Sequence, residues 1–329
     1  MRESSVAQRD SRDDSCRTNR SFIGEDNRIT LDIGECQCIG LLTRSNGLEE
    51  SDEVLEAIDN EIRIIADVDC FEDPGCVEEE VLYLTNSWPK DDEGDDIDPG
   101  LDLLEVTNLD DGTAELKLLE RFEDEDLDQV DSLACTPDGE TLHLYDKDSG
   151  RLGEVDASNP TAGIADLGEV DNDPGGVVLG AYSPDGVLYA VSEADNHLYT
   201  VDTSVPKVTE VGDTGVDVSG SDIVFDTDKL FMHTNSSQEL YEVDRNTGAA
   251  TPICDLEEDL TGLAIREGGT GNILGSVSGF PGGMSPGEIV EFDRSNCEVA
   301  TTYEMKLDGD DYDYESGDMA TGPRCIPIN

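Results

Sequence analysis

Residues 240–251 read LYEVDRNTGAAT and residues 198–209 read LYTVDTSVPKVT, with Leu, Tyr, Val and Asp recurring in the same order. A chain that writes one hairpin twice is built from copies of one unit, and the period of the copies limits the folds that remain open. The same column continues as LLEVT (103–107), LGEVD (152–156) and IVEFD (289–293), so its last residues lie 49, 46, 42 and 49 apart. Ahead of each copy lies a second apolar segment: LYLTN (82–86), LHLYD (142–146), LYAVS (188–192), LFMHT (230–234) and LGSVS (274–278). Ahead of most of those, another segment ends in a turn: SLACTPDG (132–139), GAYSPDG (180–186), DIVFDTDK (222–229) and GLAIREGG (262–269). After each terminal Asp a turn leads to a fourth segment, as in GAATPICDL (248–256).

Short strands punctuated by frequent turn signals mean an all-β chain. Four strands per unit of this length mean the blades of a β-propeller. The first strand of each unit is the most apolar or small, as the crowded innermost strand of a blade requires. SPDG and TPDG supply Pro and Gly where a tight turn needs them. The segment SGDMATGP (316–323) matches a first strand with no unit after it. Residues 316–329 are expected to close the ring by pairing with 28–44, giving a single propeller of four-stranded blades whose N- and C-terminal strands meet. Six blades fit best, with five or seven compatible. Residues 1–27 are polar and without periodicity and are expected to be a flexible tail, leaving 28–329 as the propeller domain. The one helical candidate is SDEVLEAIDNEI (51–62), with Ser51 as its cap.

On these hairpins and their period, the chain resembles the YVTN/NHL-type β-propeller superfamily, above all secreted prokaryotic members with LYxVDxxTGxAT hairpins. The resemblance covers roughly 80–321. It implies the fold and little about activity, because that scaffold carries binding proteins, lyases, lactonases and dehydrogenases alike. The chain departs from WD-repeat propellers, having one tryptophan, Trp88, and no repeated Gly-His or Trp-Asp.

Composition sets the habitat. There are 79 Asp and Glu against 20 Lys and Arg, a net charge of −59. Such a surface repels nucleic acid and anionic membrane, since every phosphate contact needs a scarce cation. In dilute buffer a folded domain this acidic repels itself, whereas in molar salt the screening length falls to about 3 Å. Dense carboxylates with depleted lysine resemble the proteins of salt-accumulating halophiles, haloarchaea above all; an acidic, calcium-rich extracellular protein is the other reading. Nine cysteines without a CxxC pair favour disulfides in an oxidising compartment. Cys70–Cys76 and Cys254–Cys297 are candidate pairs. No window is apolar enough to span a membrane. No export signal is visible at the N-terminus. An extracellular or cell-surface location is therefore expected, with a cytoplasmic one as the alternative. Asn19 and Asn235 begin glycosylation sequons.

Three groups are candidates for function. The repeated Asp156, Asp202, Asp244 and Asp293 end their strands where a carboxylate can accept backbone N–H groups, so copying argues for turn fixing rather than catalysis. His143, His197 and His233 share neither a column nor a metal-ligand spacing and are expected to be scattered packing or surface residues. Asp222 and Asp318 occupy one column at the entrance to the innermost strands, beside Ser132, Leu179 and Gly262, with Asp131 one position earlier. Carboxylates converging at a channel mouth suit Ca²⁺, a hard ion that takes six to eight oxygens. The acidic loops 91–100, 123–131, 171–176 and 307–318 do not match an EF-hand and are expected to be hydrated surface. No GxSxG elbow, HExxH or phosphate-binding glycine loop occurs, so the motifs lean away from an enzyme. The expected role is a non-enzymatic binding or structural module for a protein or glycan partner in high salt. A Ca²⁺-dependent hydrolase or lyase at the channel mouth, and a subunit of an extracellular filament or other assembly, are the alternatives.

Overall fold

The computed structural model describes residues 20–23, 28–33, 36–41, 76–87, 89, 100–123, 130–266, 272–277, 287–314 and 316–327. The helical candidate at 51–62 and the Cys70–Cys76 pair lie outside these described residues. The chain divides into two compact units, 78–326 and 1–77 with 327–329. In the second of these, Arg20–Ile23, Arg28–Ile33 and Cys36–Leu41 form a three-stranded antiparallel sheet. Its first strand falls inside the segment expected to be a tail.

The larger unit is all-β and is made of four-stranded sets of the kind that form propeller blades. The second set runs Val130–Cys135, Thr141–Asp146, Arg151–Asp156 and Ala165–Glu169. The third runs Val177–Tyr182, Leu188–Ser192, His197–Asp202 and Lys207–Asp213. The fourth runs Ser221–Asp226, Lys229–Thr234, Glu239–Val243 and Ala250–Asp255. The fifth runs Leu260–Ile265, Asn272–Val277, Glu288–Asp293 and Val299–Leu307. In each, consecutive strands pair antiparallel in sequence order, so hairpins alone build the sheet.

The first set is composite, and it corrects the expected closure. Cys76–Asn86, Leu101–Asp110 and Thr113–Phe122 supply three strands, and Met319–Pro327, from the far end of the chain, lies beside Cys76–Asn86 as the fourth. Thr85 N–H donates to the Asp318 carbonyl at 2.9 Å, and Ser87 N–H to the Ser316 carbonyl at 2.8 Å. Met319–Pro327 therefore completes the set that contains LYLTN, which among the described residues has no other first strand, rather than pairing with 28–44. Five such sets occur among the described residues.

The core is a series of slabs between successive sets. Tyr83, Leu103, Leu133 and Leu144 fill the slab between first and second sets; Tyr145, Leu152, Ala190 and Tyr199 fill the next. Tyr189, Ile223, Met232 and Tyr241 lie between third and fourth, and Phe231, Leu240, Leu263 and Phe292 between fourth and fifth. Leu84, Leu104, Ala264, Ile289 and Met319 join fifth to first. Tyr199 and Tyr241 repeat because each packs against the preceding set. A fully buried Leu or Phe in such a slab contributes about 1.5–3 kcal/mol.

Two registers differ from the sequence alignment. A bulge between Leu179 and Ala181 places Val178, not Leu179, opposite Val191, the place that Asp222 takes opposite His233. Ile273 pairs with Phe292 as Leu230 pairs with Val243, so the repeat copy is 273–277 rather than 274–278. One inserted residue shifts a strand by one position, and a pattern of small and apolar residues does not show it.

The outer strands are also tied from set to set. Asp171 N–H donates to Pro206 O at 2.8 Å, and Ala250 N–H to Thr214 O at 3.0 Å. Val299–Leu307 pairs parallel with Thr113–Phe122, merging the fifth and first sets into one sheet. Between fourth and fifth sets the tie is covalent: Cys254 and Cys297 form a disulfide with Cα atoms 5.7 Å apart. This is one of the two candidate pairs. It closes a loop with a sequence separation of 43, for which chain entropy gives a stabilisation of about 4 kcal/mol. Replacing both cysteines by serine is expected to lower the melting temperature. An unchanged melt would mean that noncovalent packing alone holds that junction.

Candidate functional site

The repeated aspartates act at the turns. Oδ1 of Asp156, Asp202, Asp244 and Asp293 accepts the N–H two residues on, from Ser158 at 2.9 Å, Ser204 at 3.0 Å, Asn246 at 2.8 Å and Ser295 at 2.7 Å. The serine hydroxyls donate to the same oxygens at 2.6–2.7 Å. These bonds hold all four carboxyls below the usual range. Thr107, at the matching position of the first set, instead donates its hydroxyl across the hairpin to Glu115 O at 3.1 Å.

The histidines occupy three separate settings. His143 Nδ1 lies 3.0 Å from the Tyr182 hydroxyl, and burial lowers its pKa to about 4. His197 sits at a rim between Asp195 and Glu210, at 3.6 and 3.7 Å. His233 is buried in the slab between fourth and fifth sets, neither ring nitrogen has a hydrogen-bond partner among the described residues, and burial lowers its pKa to about 4.

Asp222 and Asp318 do come together. They are 2% and 0% exposed and approach each other across Gly262, where Asp222 Oδ2 accepts Leu263 N–H and a Cβ on Gly262 would lie 2.9 Å from Asp318 Cα. Asp222 starts the inner strand of the fourth set; its Oδ1 accepts Ile223 N–H at 2.6 Å and its Oδ2 accepts Leu263 N–H from the inner strand of the fifth. Asp318 immediately precedes Met319–Pro327; its Oδ1 accepts Met319 N–H at 2.6 Å and its Oδ2 accepts Leu133 N–H, from the inner strand of the second set, at 2.7 Å. Each carboxyl thus links its own inner strand to another. Burial raises both pKa values, and for Asp318 the neighbouring Asp222 adds to the rise. Two carboxyls brought together in a dry site favour holding a proton, because two adjacent anions away from water repel each other and lose their hydration.

The strand between them makes the meeting possible. A Cβ on Gly262 would lie 2.6 Å from Met319 N and 2.9 Å from Asp318 Cα. A bare backbone at Gly262 lets the closing strand approach, so Gly262, read in sequence only as a column member, is a positioning residue. Tyr314 is fully buried nearby and hydrogen-bonds Ser276 Oγ at 3.1 Å and Thr261 Oγ1 at 2.9 Å. The sequence hid it in an acidic loop; two tyrosines in an acid run, Tyr312 and Tyr314, were the available signal. Asp131 lies in the strand Val130–Cys135, but its side chain is outside the described set. Among the described residues, no group of three or more His, Cys, Asp or Glu is placed to hold a metal ion.

Asn235, the second sequon residue, has its amide in use. Its Nδ2 donates to Leu260 O at 2.8 Å and its Oδ1 accepts Leu260 N–H at 2.9 Å, tying fourth set to fifth. Asn19 lies outside the described residues.

Adding a methyl group in Gly262→Ala forces the closing strand outward. A loss of about 1–3 kcal/mol is expected from overpacking, read as a lower denaturant midpoint. An unchanged midpoint would remove the close approach as the reason for glycine at 262.

No family model matches the chain, and no curated protein matches it. Among solved structures it is similar to hydrazine synthase of Kuenenia stuttgartiensis, at 17% identity and TM-score 0.38, over 54% of this chain and 50% of that one. It thus spans about half the length of that protein. It is also similar to a chain of a nidogen/laminin complex, at 10% identity and TM-score 0.48, over 73% of this chain and 98% of that one. A protein of unknown function from Bacteroides caccae matches at 11% identity and TM-score 0.41, over 68% and 73%. At this distance the likenesses assign no activity, and the chain's own geometry carries the functional reading.

Proposed function

We propose that this chain is a closed five-bladed β-propeller of the YVTN/NHL type that works by binding, presenting one face of the ring to a protein or glycan partner outside a salt-adapted cell. The observation that carries the reading is the use made of Asp222 and Asp318. The residues best placed for chemistry on the axis are buried, paired with each other and bonded to the backbone of neighbouring inner strands. They serve ring closure, which leaves the loops and strand edges of the faces as the surface that meets other molecules. The five slabs that join successive sets, including fifth to first, support a closed ring. The Cys254–Cys297 disulfide supports an oxidising compartment. Among the described residues no helix is long and apolar enough to cross a membrane.

Salt adaptation has a direct consequence. Raising KCl from about 0.2 M to about 2 M shortens the screening length severalfold and is expected to raise the melting temperature. A melt that falls over that range would remove the halophilic reading.

The binding reading is tested in about 2 M KCl by screening the immobilised chain against arrayed surface glycans and purified surface-layer glycoprotein. Saturable, competable binding is the expected result. Calcium calorimetry and a panel of esters and lactones supply the opposing outcome: EDTA-sensitive turnover would make the chain a metal-dependent hydrolase. High-order oligomers by light scattering, without ligand binding, would make it an assembly subunit.

A further inference from the structure

We propose that Asp222 and Asp318 together hold one proton that bolts the C-terminal strand into the ring, and that loss of this proton releases the strand. Asp318 immediately precedes the strand Met319–Pro327, the inner member of the first set. Among the described sets that strand is the inner strand not joined by a hairpin to the rest of its set, so bonds to neighbouring strands hold it in register. Asp318 is at the centre of those bonds. Its N–H donates to Thr85 Oγ1 at 2.9 Å, its carbonyl accepts Thr85 N–H at 2.9 Å, and its side chain reaches Leu133 at 2.7 Å. Across Gly262 it meets Asp222, whose other bond goes to Leu263. The pair therefore joins inner strands of the first, second, fourth and fifth sets.

A carboxyl–carboxylate hydrogen bond needs its proton. With the proton in place, one group donates and the other accepts; without it, two anions face each other away from water. The described groups around the pair offer no compensating charge. His233 comes from the strand paired with Asp222, Tyr314 from the segment leading into the closing strand, and Thr85, Thr261 and Ser276 from the remaining strands. His233 is neutral above its lowered pKa of about 4, and burial keeps Tyr314 protonated. Burial raises the pKa of both aspartates, so the folded chain binds more protons than the unfolded one. The sign follows: the bolt's contribution is complete below the ordinary carboxylate range and is lost as pH rises through the pair's raised values. Molar salt screens exposed charges far better than buried ones, so this loss persists where the surface repulsion has been silenced.

The test uses the full chain in about 2 M KCl with EDTA, at about pH 5 and about pH 8.5, reading thermal melts and amide exchange. The native chain is expected to melt at least ~5 °C lower at the higher pH. Exchange at the Leu133, Leu263 and Met319 amides, corrected for base catalysis, is expected to speed up by ~10-fold or more. Asp318→Asn supplies a permanent N–H donor to Asp222 and is expected to abolish the pH dependence; Asp222→Asn is the second variant should the first not fold. Identical native melts at both pH values overturn the proposal, as does a slope that survives in a folded Asn variant. Restoration of the native melt at the higher pH by Ca²⁺, lost in Asp222→Asn, would assign the pair to a cation instead of a proton.

Discussion

The first set has a seam where Met319–Pro327 joins Cys76–Asn86, and the rest of this architecture depends on how that seam is held. Strands 76–122 lack an innermost partner until Met319–Pro327 returns from the far end of the chain. No hairpin brings it back, so the entropy of closing more than two hundred residues opposes the pairing. Three devices answer that cost. Backbone bonds from Thr85 and Ser87 set the register, the apolar slab of Leu84, Leu104, Ala264 and Met319 supplies the area, and the Asp222–Asp318 pair crosslinks the centre. A buried ionised pair would be expensive to desolvate. One shared proton halves the charge, and four backbone N–H groups solvate what remains.

The same economy runs through the acidic surface. A chain at −59 has few cations, and some of those described meet buried carboxylates while others, such as Arg245 on Asp185 and Lys306 on Asp311, pair at the exposed surface. Glu105, Glu242 and Glu291 hold equivalent positions on third strands and are met by Arg324 with Lys117, by Lys229 and by Arg266. Arg121 meets the buried Asp102, which also accepts the Tyr312 hydroxyl. Much of the remaining acid is structural in another way: Asp138, Asp173, Asp213 and Asp217 accept backbone N–H groups in turns, like the repeated four. An excess of aspartate here is partly turn chemistry and only partly charge.

The elements of the fold were legible because each unit repeats its own local signals. Alternating apolar residues marked the strands, Pro and Gly marked the turns, and the terminal Asp marked each third-to-fourth hairpin. The slips came where a local pattern does not encode spacing. The bulge after Leu179 moved Val178 into the inner column, and the copy at 273–277 sits one residue from where its pattern suggested. The partner of the final strand slipped: it was assigned to 28–44, whereas Met319–Pro327 lies beside Cys76–Asn86. The candidate pair was legible as a column and its partners were not. Gly262, Tyr314 and His233 come from three strands or loops that meet only when the slabs close.

By itself, the sequence determined the all-β class, the four-strand unit and the turn-fixing role of Asp156, Asp202, Asp244 and Asp293, and it offered Cys254 with Cys297 as a candidate pair. The first three follow from interactions within one unit that recur in successive units, so local pattern and period are enough. Only the tertiary structure decided which strand receives 319–327, and that Asp222 and Asp318 face each other across a glycine. Those outcomes depend on contacts between residues some hundred to two hundred positions apart, fixed by the packing of side chains in slabs that no single unit contains.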